Sequence, residues 1–145
     1  ESLCPACQRV RDRVPAGLRL DDPAESIDLP ASILEAAGIP GAVAELLPGS
    51  PGRSWWRYVT GAASRHRDWA YAEMGGWKMV CSRDWKFIHR ATGPDELYDR
   101  QADPNERHNL AAATAQQDRI RWMQRQMIQS MSENIAPPQR LESHV

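Results

Sequence analysis

The middle of the chain alternates between apolar and polar residues in short runs, a pattern typical of β-strands with one buried face. The predicted strands cover residues 69–74, 78–82, 85–89 and 96–99. Gly75-Gly76 and Arg83-Asp84 separate consecutive runs and have the composition of tight turns. The pattern therefore predicts a small antiparallel sheet of three to four strands, with Trp85 and Phe87 on one face and Lys86 on the other.

A helical period follows the predicted sheet. Asn109 can cap a helix that runs over about residues 110–131. Its apolar positions recur at three- and four-residue steps and are Ile120, Met123, Met127 and Met131. A methionine-rich stripe can serve as an adaptable binding surface, but it more often packs a helix onto a sheet, and we favour that interpretation.

The first 61 residues contain less periodic structure. Ser26 or Asp28 can cap a helix that Gly38 and Pro40 end, and a second, shorter helix fits residues 54–59. Together the patterns predict an α+β fold, with a short helix first, then a small antiparallel sheet, and a long C-terminal helix across it.

Composition and charge exclude several partners. The 145 residues have a formal net charge of -1, so no overall field favours nucleic acid. No apolar run approaches the roughly 18–20 residues of a membrane span, and we therefore predict no membrane partner. Cys4 and Cys7 have the spacing of half a zinc site, but no second ligand pair accompanies them, and two free thiols are the simpler interpretation. Cys81 lies in a strand and is predicted to be a small buried residue.

Four segments, in order along the chain, resemble those near the end of sulfatases, the formylglycine-dependent branch of the alkaline phosphatase superfamily. They are "GLRLDDPAESIDLPASILEAAGIP", "GRSWWRYVTG", "KMVCSRDWKFIHR" and "ELYDRQADPNERHNLA". The last is the most specific, since it matches the family pattern Glu-Leu-Tyr-Asp, a spacer, Asp-Pro-x-Glu and Asn-Leu. Two departures stand out. The family's Asp-Leu-x-Pro-Thr is Asp28-Leu29-Pro30-Ala31-Ser32 here, with the proline one place early and Ser32 as the candidate hydroxyl, and Cys81 replaces the arginine of Val-Arg-Thr.

The resemblance implies a division of the chain. Residues 1–61 would be the end of an alkaline phosphatase-like catalytic domain, with an irregular start, and residues 62–133 the C-terminal sheet-and-helix subdomain. Residues 134–145 are expected to form a flexible tail. The chain opens on glutamate, so we expect an upstream portion that carries most of the catalytic domain.

The chemistry of the family is expected to lie in that upstream portion. Calcium and formylglycine are implied for a full-length member, in which formylglycine forms from a cysteine or serine in a Cys/Ser-x-Pro-x-Arg context. None of the three cysteines here has that context. The resemblance places the metal ligands before Glu1, so we predict no metal ligands or catalytic residues in this chain and no hydrolysis by it alone. The expected partners are the missing catalytic domain or a second copy, and a sulfate ester only in the full-length protein. The compartment stays open between cytoplasm and periplasm, with a preference for the cytoplasm.

Two groups of residues could contribute to function or to the fold. Substrate-rim candidates are Arg65, His66, Trp77, Lys78 and Lys86. For each there is a plainer alternative: a solvated loop for His66, a hairpin turn for Trp77 and a solvent-exposed ammonium group for Lys86. The structural motif comprises Tyr98, Asp99, Asp103, Pro104, Glu106 and Asn109. Its carboxylates resemble a metal cluster on paper, but we expect them to accept backbone hydrogen bonds and to fasten the fold.

Two other functions remain open on these residues. The chain could be a stand-alone protein-interaction module, derived from a sulfatase that lost its catalytic half, which uses the sheet to bind a protein. It could also be the tail of a phosphoester or phosphonate hydrolase of the same superfamily, which only the nucleophile segment would distinguish from a sulfatase.

Overall fold

Two helices that the structure describes in full precede the sheet. The computed structural model describes residues 10–39, 41, 45–46 and 48–134, so the Cys4–Cys7 motif and nearly all of the predicted tail lie outside the described residues. Helix α1 covers Asp28–Ala37 and ends, as predicted, at Gly38, whose left-handed backbone (φ 72°) suits glycine. Helix α2 is a single turn, Trp56–Val59.

The N-terminus of α1 differs from the prediction. Its N-cap position is Ile27, which makes no side-chain capping bond, so the predicted capping by Ser26 or Asp28 is wrong. The Asp28 carboxylate instead reaches back to the backbone N–H of Glu25, at 2.9 Å, and is fully buried. This burial requires partners from elsewhere in the chain, since an isolated buried carboxylate is strongly unfavourable.

A four-stranded antiparallel sheet lies at the centre of the structure. Its strands are β1 (Trp69–Met74), β2 (Trp77–Ser82), β3 (Trp85–Arg90) and β4 (Glu96–Asp99). They are ordered β1-β2-β3-β4, which confirms the predicted meander. Only two residues separate β1 from β2 and β2 from β3, as expected for hairpin turns.

One row of side chains across the sheet forms the core. Tyr71, Val80, Phe87 and Leu97 lie opposite one another on successive strands, and all four are buried. Trp85 packs against this cluster, which confirms its predicted position on the face of Phe87. The neighbouring row on the opposite face includes Lys86.

Helix α3 (Gln117–Asn134) covers the core face of the sheet. Ile120, Met123 and Met127 are buried against it, which confirms that the methionine stripe packs on the sheet. The stripe then shifts by one position: Ser130 is buried, whereas Met131 is 37% exposed. None of the helices that the structure describes combines the length and apolar character needed to span a membrane.

The C-terminal helix begins seven residues later than predicted. Leu110 N–H donates to the carbonyl of Leu97 at 2.8 Å, so this part of the chain lies beside β4 instead of starting a helix. Asn109 is not a helix cap, because its Oδ1 accepts the N–H groups of Leu97 (3.0 Å) and Ala111 (2.9 Å). A short 3-10 turn, Thr114–Gln116, leads into α3.

Candidate functional site

A buried carboxylate–guanidinium pair lies where α1 begins. Asp28 is 0% exposed, and Arg67, from the loop before β1, is 8% exposed. Arg67 Nε donates to Asp28 Oδ2 at 2.8 Å and its Nη2 donates to Oδ1, so the pair is bidentate. This is the strongest geometry for an arginine–carboxylate pair. We call these two residues, with Glu25 and His66, the Asp28 cluster.

Backbone groups and a histidine complete the hydrogen bonding of Asp28. Oδ1 accepts the N–H of Arg53 at 2.7 Å, and Oδ2 accepts the N–H of Glu25 and lies 2.9 Å from His66 Nε2. With the two donors of Arg67, five donor positions surround a carboxylate that has about four lone-pair directions. These neighbours saturate Asp28, so the cluster is built to hold chain segments together and not to bind a metal ion or accept a substrate proton.

The environment of Asp28 determines its protonation. Burial alone raises the pKa of Asp28, but the hydrogen bonds from Arg67 and from the backbone N–H groups of Arg53 and Glu25 outweigh it. The pKa therefore lies well below its usual range, and the group stays ionised at neutral pH.

Other contacts of the cluster join the segment before residue 61 to the sheet. Ser32 Oγ donates to the carbonyl of Asp28 at 2.7 Å and accepts the N–H of Trp55 at 3.0 Å. Glu25 Oε1 accepts the N–H of Tyr71 in β1 at 2.8 Å. The α1 region, the loop before α2 and the first strand are therefore held in one hydrogen-bonded unit.

His66 belongs to this unit. Its side chain is 4% exposed, so the interpretation of a solvated loop is wrong for this ring. The ring stacks on Tyr58 with centroids 6.5 Å apart and meets Trp55 edge-on at the same distance. The backbone N–H of His66 donates to Asp22 Oδ2 at 2.9 Å. Neighbours on several sides therefore fix this residue.

Gly52 is constrained by the same packing, and this yields a testable prediction. A Cβ placed on Gly52 would lie 2.3 Å from the carbonyl oxygen of Ile27, which is backbone and cannot rotate away. We expect Gly52→Ala to lower the free energy of unfolding by about 1–3 kcal/mol, because the loop must move out of its packed position. Urea denaturation followed by tryptophan fluorescence measures this change.

Gly75→Ala is the matched control for this prediction. A Cβ at Gly75 would meet nothing within 4 Å, and the backbone there is not left-handed. We expect its effect to stay within about 0.5 kcal/mol. Equal effects of the two substitutions would contradict the proposed close approach at Gly52.

The segment 96–109 is held by its own carboxylates. Asp99 Oδ1 accepts the N–H groups two and three residues further on, both at 3.0 Å. Asp103 Oδ2 accepts those four and five residues further on, at 2.7 and 2.8 Å. Glu106 N–H donates to the carbonyl of Asp103 at 3.0 Å, which closes a turn around Pro104. Tyr98 Oη donates to Glu96 at 2.8 Å.

The outer face of the sheet carries an ionic group of its own. Lys86 Nζ lies 2.6 Å from Glu106 Oε2, and both side chains are less than one third exposed. Glu106 has a left-handed backbone (φ 54°), which is uncommon for a residue with a side chain. Arg100 Nη1 lies 3.3 Å from Cys81 Sγ and donates to the carbonyl of Ser82 at 3.0 Å. Burial raises the pKa of the Cys81 thiol, which favours its protonated form.

Comparison with solved structures identifies the fold. A phosphonate monoester hydrolase from Silicibacter pomeroyi matches 79% of this chain with a TM-score of 0.60 and 25% identity, over 26% of its own length. A putative sulfatase from Bacteroides thetaiotaomicron matches 72% with a TM-score of 0.59 and 21% identity, over 24% of its length. BT4656, in complex with its substrate D-glucosamine-2-N,6-O-disulfate, matches 86% with a TM-score of 0.62 and 18% identity, over 28%.

The chain has the fold of the sulfatase C-terminal subdomain. It spans only about a quarter of the length of these alkaline phosphatase superfamily structures. No protein-family model matches the chain, and no curated protein matches it either. The family likeness therefore rests on the fold and on the four segments that resemble sulfatases.

The structure places the five rim candidates at separate positions on this sulfatase-type fold. Arg65 is exposed and paired with Asp68 at 3.1 Å. His66 lies inside the Asp28 cluster, and Lys86 pairs with Glu106 on the outer face. Trp77 and Lys78 begin β2, and both line an apolar cavity of about 440 Å³ beside α3. The candidates do not converge on one site within the described residues, and their role at a substrate rim stays a prediction.

Several important residues escaped the sequence reasoning. Glu25 and Arg67 carry much of the Asp28 cluster, but neither belongs to an apolar period or a spaced motif. The guanidinium beside Cys81 comes from Arg100, which follows β4 and lies 19 positions further along the chain. The one signal for the Asp28 cluster in the sequence was the high density of charged residues around residue 66. It could not show that these charges are buried, since their burial depends on partners distant in sequence.

The metal chemistry of the sulfatase family is not represented in the described residues. No group of three or more His, Cys, Asp or Glu side chains there is arranged to hold a metal ion. The carboxylates of the segment 96–109 instead accept backbone N–H groups or pair with Lys86. Calcium and formylglycine thus remain properties implied by the family.

Proposed function

We propose that this chain is the C-terminal part of a sulfatase-like sulfuric ester hydrolase. In this proposal the chain packs on the catalytic domain, contributes to the rim of the substrate cleft and leaves the nucleophile and the metal ligands to the rest of the enzyme. The division at residue 61 between catalytic domain and subdomain belongs to the same proposal. A single observation carries it: large apolar side chains of α1 are turned away from the other residues that the structure describes.

Helix α1 is buried on its small and polar side. Asp28, Ala31, Ser32 and Ala36 are the buried residues of the helix. Leu29 and Ile33, one turn apart, are 46% and 57% exposed. Ile39, just past the end of α1, is 51% exposed. An amphipathic helix normally turns its large apolar side chains inward, so this surface fits a further layer of protein.

The fold comparison indicates what that layer would be. Solved structures align with most of this chain but extend to roughly four times the length that aligns. Helix α1 lies in the segment that resembles the end of the catalytic domain. The exposed apolar surface therefore supports packing against the remainder of such a domain, which would supply the reacting groups.

Cys81, the cysteine that the structure describes, supports the proposal that the nucleophile lies elsewhere in the enzyme. Formylglycine formation needs a cysteine or serine in a Cys/Ser-x-Pro-x-Arg context. Cys81 is followed by Ser-Arg-Asp-Trp, so it lacks both the proline and the arginine of that context.

The phosphonate monoester hydrolase is the second candidate, favoured by one observation. Among the three solved structures described, the Silicibacter pomeroyi enzyme has the highest identity to this chain, at 25%. Sulfate and phosphonate esters share a tetrahedral anionic centre, so a subdomain that only shapes the rim could serve either reaction. Turnover of aryl sulfate compared with phenyl phosphonate by the complete enzyme would decide between them.

The packing role can be tested on the chain by itself. We expect the isolated chain to self-associate through the uncovered side of α1, and Ile33→Asp to shift it to monomer, because a charge there opposes burial. Sedimentation velocity over a concentration series measures the change. Met74→Asp is the matched control, since Met74 is even more exposed (68%) but lies on the β1 strand, away from α1. A wild-type chain that stays monomeric at all concentrations would count against the packing role, as would equal effects of the two substitutions.

A further inference from the structure

The apolar cavity beside α3 has the size of a small-molecule site. Its volume of about 440 Å³ falls within the roughly 300–1,000 Å³ that ligand pockets occupy. One side is formed by the second half of α3 and the other by the sheet near the β1–β2 turn. The helix contributes Gln124, Met127, Ile128 and Met131, and the sheet side contributes Gly76, Trp77, Lys78, His89 and Ala91. We call this the hairpin–α3 cavity.

The sheet side of the cavity carries two basic side chains at neighbouring positions. Lys78 lies two residues before the buried Val80, and His89 two residues after the buried Phe87, so both are on the core face. The two residues are directly paired across β2 and β3. Side chains at paired positions lie about 5 Å apart, so the two basic groups can contact the same ligand.

The helix side of the same cavity is apolar and incompletely covered. Ile128 and Met131 lie three residues apart, on one side of α3, and are 64% and 37% exposed. Met127, beside them, is 5% exposed and continues this surface into the core. Methionine side chains adapt to irregular apolar shapes, and a hydrocarbon chain that covers this surface gains the free energy of its burial.

The basic groups are only partly used by the residues around them. Lys78 Nζ lies 3.7 Å from Glu73 Oε2, beyond hydrogen-bond distance, and that oxygen already accepts the hydroxyl of Tyr71 at 2.5 Å. His89 Nδ1 lies 2.9 Å from Asp95 Oδ1, which orients the ring, while its Nε2 has no hydrogen-bond partner among the residues that the structure describes. No aspartate or glutamate is among the described residues that line the cavity. A single negative charge would therefore be attracted to this wall.

We propose that the hairpin–α3 cavity binds a medium-chain alkyl carboxylate. The carboxylate lies on Lys78, beside His89, and the hydrocarbon chain lies along Ile128 and Met131. Such an anion matches both walls, whereas a neutral apolar molecule leaves the ammonium group of Lys78 without a new partner. A hydrophilic polyanion would instead place polar groups on the apolar wall. This inference goes beyond the proposed function and does not depend on it.

Calorimetric titration of the full chain with ten-carbon ligands tests the inference. The ligands are decanoate, decanol and decyltrimethylammonium, which share a chain and differ in the charge of the head group. We expect decanoate to bind at least about fivefold more tightly than decanol, since hydrogen bonds to charged groups are the stronger ones, and the cation to bind most weakly. From hexanoate to decanoate the affinity should rise by roughly twofold to fourfold per methylene group.

The two lysines of the chain provide a matched pair of variants. Lys78→Met keeps an apolar stem and removes the charge, so it should reduce decanoate binding to the level of decanol. Lys86→Met should bind decanoate like the wild type, because Lys86 lies on the outer face and pairs with Glu106. Equal losses in the two variants would overturn the inference, as would equal binding of decanoate and decanol by the wild type. Thermal midpoints show that each variant is folded.

A second pair of variants locates the hydrocarbon chain. Ile128→Asp places a charge on the apolar wall of the cavity and should weaken decanoate binding at least about tenfold. Ile33→Asp places the same charge on the exposed side of α1, outside the cavity, and should leave decanoate binding unchanged. Loss of binding in Ile33→Asp with binding kept in Ile128→Asp would overturn the inference in favour of the α1 surface. Tighter binding of an amphipathic leucine–glutamate peptide than of decanoate would overturn it in favour of a protein partner.

Discussion

Replacing Asp28 with asparagine is expected to lower the free energy of unfolding by about 3–5 kcal/mol. The amide cannot accept all the bonds that the carboxylate accepts, and Arg67, buried at 8% exposure, would keep only the more distant carboxylate of Glu25, at 3.7 Å. Urea denaturation monitored by tryptophan fluorescence measures the loss. Asp118→Asn is the control, because Asp118 forms an ion pair on the surface with a side chain 97% exposed. Its effect should stay within about 0.5 kcal/mol.

The same variant should change how stability depends on pH. The pKa of Asp28 is lower in the folded state than in the unfolded chain, so its contribution to stability is complete above the unfolded value. This contribution falls as the pH drops below about 4, because the unfolded chain then binds a proton that the folded chain does not. The asparagine variant should lose that part of the acid sensitivity. A pH profile identical to that of the wild type would show that the pKa of Asp28 is the same in the folded and unfolded states, which would contradict this prediction.

Phe87→Ala is expected to cost about 3–5 kcal/mol for a different reason. Phe87 is 0% exposed and lies in the core row between Val80 and Leu97, beneath the buried methionines of α3. Removing the ring leaves a cavity that β-strands on both sides cannot collapse to fill. Thermal and urea denaturation measure the loss. The apolar cavity of about 440 Å³ beside α3 does not replace the contacts that the ring loses.

Met74→Ala provides the comparison for the core substitution. Met74 ends strand β1 of the same sheet and is 68% exposed, so we expect a change within about 0.5 kcal/mol. A similar loss in both variants would mean that the effect comes from strand preference and not from burial.

Period and turn chemistry explain why the sheet was predictable. Each strand carries its own alternation, and the two-residue connections at Gly75-Gly76 and Arg83-Asp84 leave antiparallel pairing as the simplest topology. The packing of Ile120, Met123 and Met127 follows from a local helical period. These features depend on residues close together in sequence.

The start of α3 and the Asp28 cluster depend on residues far apart. Helical propensity allowed α3 to start at Leu110. The hydrogen bond from the N–H of Leu110 to the carbonyl of Leu97 instead holds that segment beside β4. Arg67 and Asp28 are separated by 39 positions, and nothing local indicates that two charged residues will be buried together. Its turn residues and charges could identify the segment 96–109 as a distinctive motif. Only the fold shows which backbone N–H groups donate hydrogen bonds to its carboxylates.

The hydrogen bonds at the two outer strands also bear on aggregation. An exposed edge strand offers unpaired backbone groups to another chain and can extend into an intermolecular sheet. On β1 the outward N–H of Tyr71 is taken by the Glu25 carboxylate, and on β4 both the N–H and the carbonyl of Leu97 are occupied by Asn109 and Leu110. Both edges are therefore blocked near their midpoints by the chain itself. Even with its apolar α1 surface uncovered, the chain should assemble by side-chain contact into discrete oligomers, and not by strand addition into fibrils.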